Sequence, residues 1–359
     1  MSTVAIGDGG RVTDGARYRH ELAEAFELAR GEAERVEYAV LRIAGKAVRI
    51  VSIGRRIAAR LGPALAHLEV SEGERPDLTI CLWDSGSVGR LAPLPGWFTE
   101  ESIVNDIWRY RDPQIRMLIQ RVPDLSSLSL SLYDKAEKWA MFWVSDAESL
   151  PAYETGAPLR SIFQWSLGGY GVQLVHAAAV GTEAGGVLLV GRGGSGKSTA
   201  AMKSLDAGML YVSDDYSLLG GENLTTVYSL YCTGKVYTED LVHYTTLCEP
   251  NLSWDEKSIF FLNQSHPHIV VTSLALKAIV VPRIVAGQVN TQLVPTSKAS
   301  ALLALAPSTV FQLPGSTSED LSRMRRVVST LPCYSLELGS DRSQVPQTIR
   351  ELLDKEQSP

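Results

Sequence analysis

Cysteine is scarce, at 4 of 359 residues, and Cys81, Cys232, Cys248 and Cys333 show no paired spacing. That excludes a disulfide framework and a cysteine zinc site, and leaves thiols expected to be buried or incidental. No run of about 18 apolar residues occurs, so no membrane-spanning helix is expected. The N-terminus lacks a basic segment leading into an apolar core, so no secretory signal is expected and the cytoplasm is the expected compartment. Positive charge is in deficit: 34 Lys and Arg stand against 40 Asp and Glu, a net charge of −6. General nucleic-acid binders and binders of anionic membranes carry the opposite balance, so neither partner is expected. Low-complexity tracts are absent as well.

What is present is an ordinary globular composition, 45% hydrophobic and 21% charged. At this length one hydrophobic core is usually exceeded, and two domains are expected. Residues 1–17 are polar and glycine-rich and read as a loose tail. Helical spacing covers 19–36 and 57–68, and 77–83 reads as a strand. Residues 127–133 and 138–144 alternate in period two, as paired antiparallel strands do. Residues 1–160 are therefore expected to form a small α+β domain, with Trp83, Trp97, Trp108, Trp139 and Trp143 serving mainly as core anchors. From 161 the pattern changes. Strands are expected at 172–180 and 186–190, joined by a hairpin-like turn, then at 209–213, 226–231 and 276–282, with helices at 298–305 and 321–330.

The most informative segment is Gly191-Arg192-Gly193-Gly194-Ser195-Gly196-Lys197-Ser198-Thr199. An apolar strand precedes it and a helix-forming stretch follows, the setting in which G-x-x-x-x-G-K-[ST] is a phosphate loop. Gly191, Gly193, Gly194 and Gly196 let the backbone curl so that N–H groups of the loop, Ser195 and Thr199 among them, face an anion. The following helix directs its positive dipole end to the same point. Lys197 is expected to reach the terminal phosphates of a nucleotide, and Ser198 to offer its hydroxyl to Mg²⁺. ATP and Mg²⁺ are the expected cofactors.

Soon after, the apolar strand Met209-Leu210-Tyr211-Val212-Ser213 ends in Asp214-Asp215. Only one helix and one strand separate the acidic pair from Lys197, which places both at the carboxyl edge of one sheet, where α/β proteins bind ligands. One carboxylate suits a metal ion and leaves the other for a different task. His176, within Val175-His176-Ala177-Ala178-Ala179-Val180, reads either as a hydrogen-bonded core residue or as a proton-handling group beside a substrate.

The order of His176, the loop 191–198 and Val212-Ser213-Asp214-Asp215 resembles the catalytic domain of HPr kinase/phosphorylase, whose nucleotide-binding core is shared with phosphoenolpyruvate carboxykinase. The whole chain, and 165–198 most of all, is similar to HPr-kinase-like proteins associated with ribosomally made lasso peptides. The resemblance implies an α/β nucleotide-binding domain over 161–359. It implies Lys197 and Ser198 on phosphate and Mg²⁺, one of Asp214 and Asp215 as the base for the acceptor hydroxyl and the other on the metal, with Asp214 favoured as the base and Asp215 as the metal ligand beside Ser198, and His176 near the transferred group. It also implies a peptide or small-protein acceptor, such as the C-terminal serine of a lasso-peptide precursor, with residues 1–160 recognising it. Two departures stand out. No Glu-x-Arg-Gly segment follows Asp215, leaving Glu222 and Glu239 as candidates for a third metal ligand. Thr199 stands where the bifunctional enzyme has Glu, so the reverse activity is not carried over, and neither is its oligomeric state.

Other residues carry weaker signals. Lys235 follows a strand and could approach the site but reads better as a solvated turn lysine, and His266-Pro267-His268 reads as a surface loop in preference to a metal pair. Arg323, Arg325 and Arg326 read as a solvated basic face. Residues 241–268 read as a mobile lid or acceptor-binding loop. The expected activity is ATP- and Mg²⁺-dependent phosphorylation of a serine hydroxyl. The rival readings are a small-molecule hydroxyl kinase and a non-catalytic nucleotide-binding regulatory module.

Overall fold

The computed structural model describes residues 14–356 except 72, 74, 123–126, 248 and 314. The fold is mixed α/β with several sheets, and among the described residues no helix is long and apolar enough to cross a membrane. Contacts divide the chain into two units. The first takes the residues up to Pro63 together with Glu69–Ser166; the second takes Ala64–Leu68 and the chain from Leu167 onward.

The first unit is built on an eight-stranded sheet. Val36–Ile43 and Lys46–Ile53 form a tight hairpin, with Ala44 and Gly45 both at positive φ in its two-residue turn. Leu78–Asp84 lies parallel between Lys46–Ile53 and Trp139–Val144. Ser127–Asp134, Ile115–Val122 and Ile107–Arg111 then continue as an antiparallel meander. Helix Asp14–Glu32 buries Tyr18, Leu22, Phe26 and Ala29, spaced to share one face. That stripe packs with Trp83, Ile119, Leu130 and Trp143 from the sheet. The expected helix over 57–68 is instead Arg55–Leu61 followed by a short 3-10 turn, Ala66–Leu68. Gly62-Pro63 separates them, since proline disfavours helical backbone in the residue before it.

The second unit centres on a nine-stranded sheet. Its core strands are Ala177–Thr182, Gly185–Val190 and Ser273–Ile284, the last two parallel. Alternation explains why these strands read as unbroken apolar runs. Val187 and Leu189 pack into one core with helices Lys197–Asp206 and Val345–Lys355. Leu188 and Val190 pack into another with helices Lys298–Gln312 and Ser318–Thr330. Both faces are covered, so neither set of side chains is polar. Within the segment expected as a lid, Lys257–Phe261 pairs with Leu252–Trp254 on one side and with Thr233–Tyr237 on the other, in a three-stranded sheet.

Cys81, Cys232 and Cys333 are buried free thiols; Cys248 lies outside the described residues. Burial pushes the Cys81 and Cys232 thiols up to about 12, which removes them as nucleophiles at neutral pH.

The short segment Ala64–Leu68 carries a testable electrostatic feature. Within the second unit, Cys232 donates its backbone N–H to the Ala64 carbonyl at 3.0 Å, and His67 Nε2 lies 2.7 Å from Ser229 Oγ. Burial pushes the His67 imidazole down to about 4 from its ordinary 6.5. Between those values the unfolded chain binds a proton that the folded chain does not, so stability is complete above the upper value and falls as pH drops towards 4. The shift corresponds to at most about 3 kcal/mol. His67→Gln is expected to flatten the pH dependence of the urea midpoint across this window, and a variant as acid-sensitive as the parent would contradict the burial.

Candidate active site

Gly185–Val190 delivers the chain to the glycine-rich loop, and the loop hands it to helix Lys197–Asp206. Gly191 is buried, and a Cβ there would come 2.5 Å from Ser195 Oγ. Gly196 has φ 101, and a Cβ on it would collide with Leu338. Only glycine meets both demands. Arg192, Gly193 and Gly194 form the exposed crest of the loop. The helix starts at Gly196 without a side-chain cap, so its first-turn amides take no partner from a capping side chain. Thr199 lies in that first turn, partly buried.

Lys197 is 5% exposed. Its Nζ donates to the carbonyls of Gly191 at 2.7 Å and Arg192 at 3.3 Å. Among the described residues no carboxylate comes within ion-pairing distance of it. Burial lowers its pKa, and the more distant Asp215 and Asp214 only partly offset that. A buried ammonium held by neutral carbonyls alone is a charge short of an anion.

Opposite stands the acidic pair. Strand Leu210–Ser213 ends just before it, and Asp215 adopts the left-handed conformation, φ 65, which aspartate tolerates better than most residues. This turn sends the two carboxylates to different partners. Asp214, almost fully buried, accepts from Ser198 Oγ at 2.9 Å and from the Asp215 amide at 2.9 Å through Oδ1. Its Oδ2 accepts from the Lys235 amide at 3.3 Å. Burial first, then Asp215, raises the Asp214 carboxyl to about 6, against the opposing pull of Lys235, Ser198 and Lys197.

Asp215, with its side chain 21% exposed, is ion-paired through Oδ2 to the Lys235 ammonium. Its Oδ1 lies 3.7 Å from His176 Nε2, a charge contact longer than a hydrogen bond. Burial opposes ionisation of Asp215, but Lys235 and then His176 outweigh it and hold the carboxyl well below the usual range. Asp214 and Asp215 are thus two neighbouring carboxylates with opposite shifts, a division typical of sites where the two do different work.

His176 is placed by a break that the apolar run conceals. The single strand expected over 172–180 is two: Gln173–Val175 pairs with Ser217–Gly220, whereas Ala177–Thr182 pairs with Gly185–Val190 and Leu210–Ser213. His176 sits between them, and its amide donates to Thr309 Oγ1 at 3.0 Å instead of to a strand. The ring packs near Tyr216, with centroids 5.7 Å apart. Its Nδ1 is buried without a hydrogen-bond partner.

Lys235 corrects the sequence-based expectation of a solvated turn. It lies within strand Thr233–Tyr237, paired with Ile259, and is 6% exposed. Burial opposes its charge, but Asp215 and then Asp214 outweigh burial and hold the amine above its ordinary pKa. Glu222 and Glu239, the candidates for a third metal ligand, are exposed. Among the described residues no group of three or more His, Cys, Asp or Glu side chains converges as a metal cluster would. His266-Pro267-His268 lies in a turn with Pro267 and His268 exposed, as a surface loop requires, while His266 itself is turned inward with Nδ1 2.7 Å from Ser265 Oγ. Arg323 donates to the Gly168 carbonyl at 3.0 Å and so ties helix Ser318–Thr330 to the start of the second unit.

No protein-family model matches the chain. No curated protein matches it either. Among solved structures, the HPr(Ser) kinase/phosphatase from Coxiella burnetii is similar at 14% identity with a TM-score of 0.30. That similarity covers 51% of this chain and 89% of that one.

Proposed function

We propose that the chain is an ATP- and Mg²⁺-dependent kinase that phosphorylates a serine hydroxyl of a peptide or small protein. The observation that carries this reading is the buried Lys197 ammonium, which lacks a carboxylate partner yet faces the same site as Ser198 and the acidic pair. The residues present fit the two cofactors. Ser195 Oγ in the loop is a buried polar atom without a partner, as expected of a cradle for an anion. Ser198 and Asp214 form a hydroxyl–carboxylate couple, and Mg²⁺ asks little more of a protein when phosphates supply its other ligands.

In this reading Lys197 and the loop amides hold the terminal phosphates, and Ser198 and Asp214 hold the metal. When bound, Mg·ATP supplies the phosphoryl group and the cation that offsets the charge gathering on it. Asp215 accepts the hydrogen bond of the acceptor hydroxyl, orients the oxygen and takes up its proton. This order of the two carboxylates is the reverse of the one favoured from the sequence, because Ser198 is bonded to Asp214 and not to Asp215. A carboxylate kept ionised by Lys235 is a weak base, but phosphoryl transfer runs through a loose transition state in which positioning outweighs base strength. His176, at Asp215 Oδ1, steadies that carboxylate from the other side.

Likeness of 165–198 to lasso-peptide-associated kinases supports a precursor peptide ending in serine as the acceptor. Incubation with γ-labelled ATP, Mg²⁺ and synthetic peptides ending in serine tests this directly. Label on the serine is the expected result. Nucleotide binding without transfer to any serine or small-molecule hydroxyl would leave a regulatory nucleotide-binding module.

A further inference from the structure

We infer that the Lys235 side chain supplies the fixed cation that a second metal ion would otherwise supply at the acidic pair, so that the site takes one divalent ion, at Ser198 and Asp214. The inference rests on the nucleotide reading above and deepens it. Lys235 touches both carboxylates, its ammonium on Asp215 Oδ2 and its amide on Asp214 Oδ2.

The strand that carries Lys235 is fixed against the loop helix. A Cβ on the preceding Gly234 would come 2.5 Å from Met202 Sδ, so only glycine allows the strand so close to that helix. On its other side the strand pairs with Lys257–Phe261 over its whole length. The ammonium is therefore held at Asp215 by backbone pairing as well as by charge.

Asp214 presents the opposite arrangement. Its Oδ1 faces the Ser198 hydroxyl, a neutral partner that a cation can share. A divalent ion there meets a carboxylate and a hydroxyl. A divalent ion at Asp215 would instead meet a buried ammonium in a medium that screens poorly, and the repulsion between them is twice that between two monovalent charges. Among the described residues no group of three or more His, Cys, Asp or Glu side chains converges at the acidic pair, so a second ion would have to share the two carboxylates already described. Lysine is suited to this substitution, being a compact point charge on a long stem.

The test counts Mn²⁺ bound to the full-length chain in the presence of ATP, by electron paramagnetic resonance. One Mn²⁺ per chain is expected, and two would overturn the inference. Asp214→Asn is expected to weaken that ion by about tenfold or more. Lys235→Met frees Asp215 and is expected to admit a second, weaker Mn²⁺; a folded Lys235→Met chain that still takes one ion would overturn the inference. Should that variant fail to fold, Asp215→Asn/Lys235→Met removes both charges together and keeps the question open to measurement. The double variant is expected to hold one Mn²⁺ within about threefold of the parent affinity, and a loss of about tenfold or more would mean that Asp215 is a ligand, contrary to the inference. A parent chain that takes up no Mn²⁺ with ATP would refute the nucleotide reading itself, an outcome distinct from an altered ion count.

Discussion

Replacing Lys197 by methionine is expected to lower kcat/KM for nucleotide-dependent transfer by about 10²–10³-fold, or roughly 3–4 kcal/mol, the range for losing one preorganised charge from a transfer site. Methionine keeps the length and apolar stem of the lysine and deletes only the ammonium. In the chain as described, that ammonium is 5% exposed and bonded to two loop carbonyls. Its removal leaves those carbonyls short of a donor but also relieves the burial of an uncompensated charge, so fold stability is expected to change by no more than about 1 kcal/mol. Calorimetric titration with Mg·ATP and a thermal melt separate the two effects. Weakened nucleotide binding on an unchanged melting temperature is the expected pair of results. Parent-like binding would show that the ammonium serves the loop's own carbonyls and no nucleotide.

How much of this was legible in the sequence depends on the distance between partners. The loop was legible because its four glycines, Lys197 and Ser198 are consecutive or nearly so, and the geometry that needs them is local. The return of the acidic pair to the loop was legible because one helix and one strand fix the path of the chain, but which carboxylate bonds to Ser198 was not. His176 was readable as a residue but not as a break between strands, since apolar side chains continue on both sides of it while the pairing partner changes. Lys235 was misread for a related reason. Its partner Asp215 lies 20 residues away across two short strands, and a lysine after glycine carries the local signature of a turn. The first unit repeats the lesson: insertion of Leu78–Asp84 between Lys46–Ile53 and Trp139–Val144 is parallel and non-local, whereas the meander that follows joins neighbours. The same limit hid the return of Ala64–Leu68 to the second unit, where the Ala64 carbonyl bonds to Cys232.

Asp214→Asn and Asp215→Asn are expected to fail in different ways, although the two residues are adjacent. Asparagine at 214 offers Ser198 an amide in place of a carboxylate, so Mg²⁺-dependent nucleotide affinity is expected to fall by about tenfold or more. It also removes a carboxyl that burial and Asp215 had raised to about 6, so the fold loses little above neutral pH. Asparagine at 215 leaves nucleotide affinity within about threefold, while transfer falls by about 10²–10⁴-fold, the usual contribution of a proton acceptor. It removes the carboxylate ion-paired to the Lys235 ammonium, which is 6% exposed, at a cost of up to about 3–5 kcal/mol. The added Lys235→Met substitution removes the buried charge whose counterion was lost and is expected to restore stability without restoring transfer. That combination separates chemistry from folding: a double variant that regained both would place the acceptor's proton elsewhere, with His176 the next group in line at 3.7 Å from Asp215. Equal loss of nucleotide affinity in both single variants would instead mean that the turn at Asp215, for all its divided partners, presents one undivided metal site.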